Sequence, residues 1–202
     1  MKYDVVGIGN ALVDIQVMTD DAFIKSLSVV KGSMTLFDRD GQARILEKLS
    51  NHSQKLSSGG SAANTIHGIG VLGGKVYYLG RVANDFYGKH YFKDMQACGV
   101  GFPAIETITG NTGTSIILIT PDTQRTMLTC LGVSATLDAD DIDESIVRNC
   151  QMVYIEGYLW AEEKSNAAAK KIATIANKKN IPVGFTLSDS FVASSFKKSL
   201  IE

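Results

Sequence analysis

Ser58-Gly59-Gly60-Ser61-Ala62-Ala63-Asn64-Thr65-Ile66-His67-Gly68-Ile69-Gly70-Val71-Leu72-Gly73-Gly74 is the stretch around which the other 185 residues organise. A glycine pair between serines passes into a run with helical apolar spacing. Ala62, Ile66, Ile69 and Gly73 recur at i, i+4, i+7 and i+11, which is one helix face, and Asn64 and His67 fall on another. Gly59 and Gly60 let the backbone approach a ligand closely, and Ser61 is the expected N-cap. The free N–H groups of the first turn, with the helix dipole behind them, would face whatever docks there. Asn64 lies in that turn, so its amide reaches the same place. Gly68 and Gly70 cost helix stability, as expected where another element packs closely. A plain loop-to-helix join would also carry a Gly-Gly pair, but Gly-Gly-Ser-x-x-Asn favours a binding site.

Upstream, Tyr3-Asp4-Val5-Val6-Gly7-Ile8-Gly9 is a short apolar run ending in glycine, the pattern of a buried strand. Gly7-x-Gly9-x-x-Leu12 lacks the third glycine of a dinucleotide fingerprint, and no helical pattern follows, so NAD binding is set aside. Asn10 and Asp14 come instead just past the strand end, where ligands sit in open α/β sheets. Residues 12–17 and 32–37 are expected strands. Residues 20–27 and 40–49 are expected helices, the first with acids at its start. Downstream, 75–80 is a strand and 85–98 a helix stopped by Gly99. This alternation argues for a parallel sheet with crossover helices. Segments 105–109 and 112–119 are β-rich, Pro121-Asp122-Thr123-Gln124 is a turn, and 125–130 returns as a hairpin. A capped helix is expected over 137–149, a strand over 152–155, an alanine-rich helix over 162–177 and a strand over 182–187. A further helix begins at Phe196.

The motifs carry a family resemblance. Gly59-Gly60-Ser61-Ala62-Ala63-Asn64, continued by Gly73 and by Gly80-Arg81-Val82-Ala83-Asn84-Asp85-Phe86-Tyr87-Gly88, resembles the N-terminal signature of the PfkB (ribokinase-like) carbohydrate and nucleoside kinases. Gly7-Ile8-Gly9-Asn10-Ala11-Leu12-Val13-Asp14-Ile15 resembles that family's first strand and substrate-binding turn. Its Gly-Asn-x-Leu-x-Asp-Ile wording is most similar to the adenosine kinases. The resemblance runs from residue 4 to the end of the chain. It implies an α/β, three-layer fold with a mainly parallel sheet and a small β lid, formed by segments of approximately 12–38 and 104–130. The family's Asn-x-x-Glu and Gly-Ala-Gly-Asp motifs, which hold metal, phosphates and catalytic base, do not occur in residues 1–202, and neither does a Walker P-loop. The chain is therefore expected to be a C-terminally truncated, N-terminal portion, inactive by itself. ATP and Mg²⁺ would be bound mainly by the missing half.

The resemblance implies ATP-dependent phosphorylation of a primary hydroxyl on a ribose-containing substrate, with adenosine first. A sugar kinase for ribose or fructose, and a non-catalytic sugar or nucleoside binder, stand as alternatives. Asp14 is an acceptor-only carboxylate suited to gripping two vicinal hydroxyls, and Asn10 and Asn64 can donate and accept. Gly59, Gly60 and Ser61 would supply close backbone contact. Tyr158 and Phe191, with Met34 and Leu36, are candidates to enclose a ring, although both aromatics could equally be core. Thr114 and Ile116 would cover the substrate from the lid. Arg125 would steady phosphate charge, or be a plain surface strand residue.

The bulk numbers fit this class. Net charge is −1, with 45% hydrophobic and 20% charged residues, so neither nucleic acid nor an anionic membrane is expected as partner. No apolar run reaches the length of a membrane span. Cys98, Cys130 and Cys150 are odd in number and widely spaced, which suits reduced thiols and a cytoplasmic setting. His52, His67 and His90 are scattered, so no metal-ligand spacing is visible. The lid is a candidate homodimer surface, as in some members of the family.

Overall fold

Val5-Val6-Gly7-Ile8 pairs in parallel on both sides, with Val76–Leu79 and with Met152–Ile155, which is why this run is apolar without alternation. The structure is a computed structural model, and it describes residues 1–104 and 109–201. The expected extended segment at 105–109 therefore lies outside the described residues except for Thr109. In chain order the strands are β1 (Tyr3–Ile8), β2 (Leu12–Met18), β3 (Met34–Leu36), β4 (Gln54–Gly59), β5 (Val76–Leu79), β6 (Val100–Gly101), β7 (Gly113–Ile119), β8 (Arg125–Cys130), β9 (Cys150–Glu156) and β10 (Val183–Thr186). The helices are α1 (Asp21–Ser26), α2 (Arg39–Lys48), α3 (Ser61–Val71), α4 (Phe86–Ala97), α5 (Glu144–Val147), α6 (Glu163–Lys178), α7 (Ser190–Ser195) and α8 (Lys197–Ile201).

One sheet has the order β10-β9-β1-β5-β6 and is parallel throughout. Helices cover both of its faces. Val6, Ile8, Val153 and Ile155 pack on Ala168, Ala169, Ile172 and Ala176 of α6. Val76 and Tyr78 pack on Ala62, Ala63 and Ile66 of α3 and on Tyr91 and Met95 of α4. This is the three-layer α/β arrangement. The second sheet has the order β3-β8-β7-β2-β4 and is mixed. One of its faces buries Ile15, Val17, Ile116, Leu118 and Leu128 against Ile24 of α1 and Ile45 of α2. Its other face is left for the site described below. Among the described residues, no helix is long and apolar enough to cross a membrane.

Two local expectations are corrected, and one strand forms where none was expected. Gln54–Gly59 is a strand although its sequence, Gln-Lys-Leu-Ser-Ser-Gly, has a single large apolar residue. It exists because it pairs antiparallel with β2, from Leu12↔Gly59 to Val17↔Gln54. The N-cap of α3 is Gly60, at φ 109°, and Ser61 is the first helical residue. The expected helix over 137–149 is broken into a 3₁₀ turn at Ala139–Asp141 and the short α5. Asp138 and Asp141 cap each other's backbone, and Asp143 accepts from Ser145 N at 2.8 Å. Short acidic side chains here compete with helical hydrogen bonding.

Among the described residues, β10 has no neighbour on its outer side, and Val183, Phe185 and Leu187 are each more than a third exposed. An apolar, unpaired edge templates pairing with another chain. The 202-residue chain expressed by itself is expected to form concentration-dependent oligomers, and Val183→Lys is expected to reduce them. Light scattering coupled to size exclusion checks this. A monomer across the accessible concentration range would contradict it.

Candidate functional site

β1 and β9 are adjacent and in register, Ile8 opposite Ile155, so their carboxyl ends deliver Asn10 and Glu156 side by side. Asn10 N and Asn10 Nδ2 each donate to Glu156 Oε1 at 3.2 Å. Ala62 N, at the start of α3, donates to Glu156 Oε2 at 2.8 Å. Glu156 is 1% exposed. Burial pushes its carboxyl up to about 7, and the bonds from Ala62 and Asn10 pull against that rise. The Asn10 carbonyl accepts from Tyr78 Oη at 3.1 Å, and Asn10 Oδ1 accepts from Ser134 Oγ at 3.1 Å. Asn10 borders the cavity, with one Nδ2 hydrogen engaged by Glu156 and its Oδ1 accepting from Ser134. The Ala62 N–H expected to face a ligand is likewise occupied from within the chain.

Above this buried layer lies a cavity of about 390 Å³. Strand alternation explains its sheet wall. Leu12 and Asp14 of β2 line it, as do Ser115 and Ile117 of β7, Arg125, Met127 and Thr129 of β8, and Met34 and Leu36 of β3. The residues between them point to the other face. Asp14 stands opposite Ser115, and Ser115 opposite Thr129, whose hydroxyls are 2.8 Å apart. Gly60, Ser61 and Asn64 bring in the first turn of α3. Tyr158 and Ala161, from a 3₁₀ turn after β9, and Ser188 and Phe191, from the loop after β10 and the start of α7, close the far side. Tyr158 N donates to Ser188 Oγ at 3.3 Å and ties those two segments together.

Asp14 is the chemically open group of this cavity. Burial raises its carboxyl to about 6, and Arg125 opposes the rise. Among the described residues, no hydrogen bond contributes to that balance. Both glycines of the pair serve this arrangement. A Cβ on Gly59 would fall on the Asp14 carboxylate, and one on Gly60 would fall on the Asn10 carbonyl. The missing Cβ atoms of the two glycines thus make room for the chain's own Asp14 and Asn10, and Gly60 still lines the cavity.

The structure brings together Asn10, Asp14, Gly60, Ser61, Asn64, Arg125, Tyr158 and Phe191 around one cavity, with Met34 and Leu36. Gly59 is buried beneath Asp14 and does not line it. Thr114 and Ile116 are corrected: they lie on the opposite face of β7. Thr114 is bonded to Gln42, and Ile116 is fully buried against α1 and α2. The alternation was legible, but which of its two phases faces inward was not, and a one-residue shift exchanges every side chain. Glu156, which lines the cavity and joins β9 to Asn10 and α3, was not among the expected site residues. It stood in the sequence only as the residue after an apolar strand.

Comparison with known proteins is consistent with this geometry. The profile of the pfkB family carbohydrate kinases matches residues 26–201. The crystal structure of adenosine kinase from Sinorhizobium meliloti superimposes with a TM-score of 0.92 at 36% identity, covering 100% of this chain and 61% of that one. A probable sugar kinase protein from Rhizobium etli CFN 42 superimposes with a TM-score of 0.91 at 33% identity, covering 99% and 60%. An ATP-dependent ribose-1-phosphate kinase from Halopiger xanaduensis is 30% identical over 149 residues, 73% of this chain and 46% of that protein. The chain thus spans about half the length of the curated relatives it matches.

Proposed function

The chain belongs to the pfkB family of carbohydrate kinases, and from that premise we propose that these residues form the acceptor-binding part of an ATP-dependent kinase for the primary hydroxyl of a ribose-containing substrate, adenosine first. The observation that carries this is the Asp14 carboxylate, half-buried in a cavity wall with no internal hydrogen bond contributing to its balance. Its acceptor oxygens are available to vicinal hydroxyls. Asn64 offers an amide from the first turn of α3, and Arg125 a cation from β8. Phosphoryl transfer needs the acceptor held in line, water excluded and developing charge stabilised. In this reading Asp14 and Asn64 orient the acceptor. The mixed sheet, built from segments 12–36, 54–59 and 113–130, acts as the lid that excludes water.

ATP supplies the phosphoryl group and Mg²⁺ neutralises its charge. The cavity is a poor fit for Mg²⁺, which needs several oxygen ligands. Glu156 is bonded to backbone and amide donors, and Asp14 stands beside Arg125. In this reading Mg²⁺, and with it the nucleotide phosphates, would be held away from this cavity. The three free cysteines accord with a cytoplasmic setting.

Tyr158 and Phe191 favour a nucleoside. Both line the cavity, and Phe191 is 48% exposed, as a ring awaiting a partner would be. Stacking a flat base contributes about 0.5–1.5 kcal/mol beyond area. The sugar-kinase reading rests on the likeness to the probable sugar kinase and on Ser115 and Thr129, which add hydroxyls to the floor. Calorimetric titration of the full-length protein with adenosine, inosine, ribose and fructose separates the two. Adenosine is expected to bind most tightly, and Tyr158→Ala and Phe191→Ala to weaken it each by about 3–10-fold. Tighter binding of either free sugar would replace this reading with the sugar kinase. A nucleoside that wins but ignores both substitutions would remove the aromatic clamp alone.

A further inference from the structure

Away from the cavity, α3 and α4 bring three metal-competent side chains together. His67 is on α3, one turn after the buried Ala63 and on the side that meets α4. Asp94 and Cys98 are one turn apart on α4 and at its C-cap. Cys98 Sγ lies 2.9 Å from His67 Nε2. Ligand atoms of His67, Asp94 and Cys98 all lie within 4.8 Å of one another. All three side chains are half-buried, so an ion can reach them. One turn before Asp94, His90 has a buried Nε2 with no partner among the described residues. The His67 and His90 rings are both near enough to act electrostatically on the Asp94 carboxylate.

We propose that His67, Asp94 and Cys98 form a zinc-type transition-metal site, one imidazole nitrogen, one carboxylate oxygen and one thiolate sulfur, with a fourth position open to water or to His90. In a tetrahedral zinc site, ligand atoms at about 2.0–2.3 Å from the ion stand about 3.3–3.6 Å from one another. The observed separations, 2.9 Å for Cys98 Sγ and His67 Nε2 and no more than 4.8 Å for the other pairs, lie near that spacing. The mixed N, O and S set suits Zn²⁺ or Co²⁺ and is poor for Mg²⁺ or Ca²⁺, which take oxygen. Binding converts the Cys98 thiol to a metal-bound thiolate and releases one proton to solvent, with no change of oxidation state. Asp94 also accepts from Ser58 N at 3.1 Å, one residue before Gly59. An ion here would therefore cross-link α3 and α4 beside the strand that ends at Gly59. The site is distinct from the acceptor cavity, which none of the three residues lines.

The test is titration of the metal-free full-length protein with Co²⁺, followed by optical absorption. One equivalent per chain is expected to give the visible bands of tetrahedral cobalt and a near-ultraviolet thiolate charge-transfer band, both erased by Zn²⁺. Cys98→Ser is expected to abolish the charge-transfer band, and Cys130→Ser to keep it. His67→Ala is expected to weaken binding by at least the about 10–100-fold that losing an outer-shell partner costs. Zn²⁺ is expected to raise Tm in the wild type and not in Cys98→Ser. Absence of the thiolate band in the wild type, or its survival in Cys98→Ser, overturns the proposal. The wild-type titration decides even where a variant fails to fold.

Discussion

Asp14→Asn in the full-length protein is expected to lower kcat/KM for the acceptor by about 10²–10⁴-fold while leaving ATP affinity within about twofold. Two charge-assisted hydrogen bonds at about 1.5–3 kcal/mol each set that range. Asparagine keeps the shape but loses the charge, and turns one acceptor into a donor facing a hydroxyl. Stability should not fall with activity. Burial already raises the Asp14 carboxyl to about 6, so its ionised form is a cost to the fold that asparagine removes. Tm is expected to hold or rise. The pH dependence has a defined sign. Gripping hydroxyls needs the carboxylate, so acceptor use should weaken as pH drops through about 6. Because Arg125 opposes the rise, Arg125→Met should move that acid limb to higher pH. Steady-state kinetics with acceptor and ATP varied separately, across pH, checks all of this. An unchanged acceptor profile would return Asp14 to the role of a strand residue.

Glu156→Ala is expected to destabilise the fold by about 3–5 kcal/mol. It strands three donors, Asn10 N, Asn10 Nδ2 and Ala62 N, in a closed interior. Each buried unsatisfied donor costs about 1–3 kcal/mol, and the relief of no longer burying a carboxyl offsets part of the sum. Glu156→Gln should cost less, because its oxygen still serves both Asn10 donors while its NH₂ faces Ala62 N–H. Stability should also depend on pH through this residue. Burial raises the Glu156 carboxyl from 4.5 to about 7. Between those values the folded chain holds a proton that the unfolded chain has released. Stability is then full below about 4.5 and declines as pH rises towards 7, with Asp14 adding to the lower part of the window. Glu156→Gln should flatten that slope. Urea unfolding at several pH values measures both effects. A Glu156→Ala variant within about 1 kcal/mol of wild type would mean that water replaces the carboxylate.

The features legible in the sequence alone share one property: a few neighbouring residues decide them. The buried β1 run, the 125–130 hairpin return, the α3 periodicity and the α4 stop at Gly99 follow from local spacing and backbone preference. So do the acids before helices, since Asp20 and Asp85 cap their own chain three residues on. Asp14, which lines the cavity, was singled out by the family motif Gly9-Asn10-Ala11-Leu12-Val13-Asp14-Ile15 and not by its position after a strand. What the tertiary structure decided depends on partners far along the chain. β4 has no signal in Gln-Lys-Leu-Ser-Ser-Gly and is a strand only because β2 holds it. Thr114 and Ile116 exchange roles with Ser115 and Ile117 according to how β7 registers on β2 and β8. Glu156 acquires its task from Asn10, 146 positions away, and from Ala62, 94 away. His67 meets Cys98 across 31 positions, although no spacing in the sequence announced a metal-ligand set. Period and capping are properties of a segment. The inward face of a strand, the partner of a buried carboxylate and the meeting of two helices are set by the register of strands, which no segment contains.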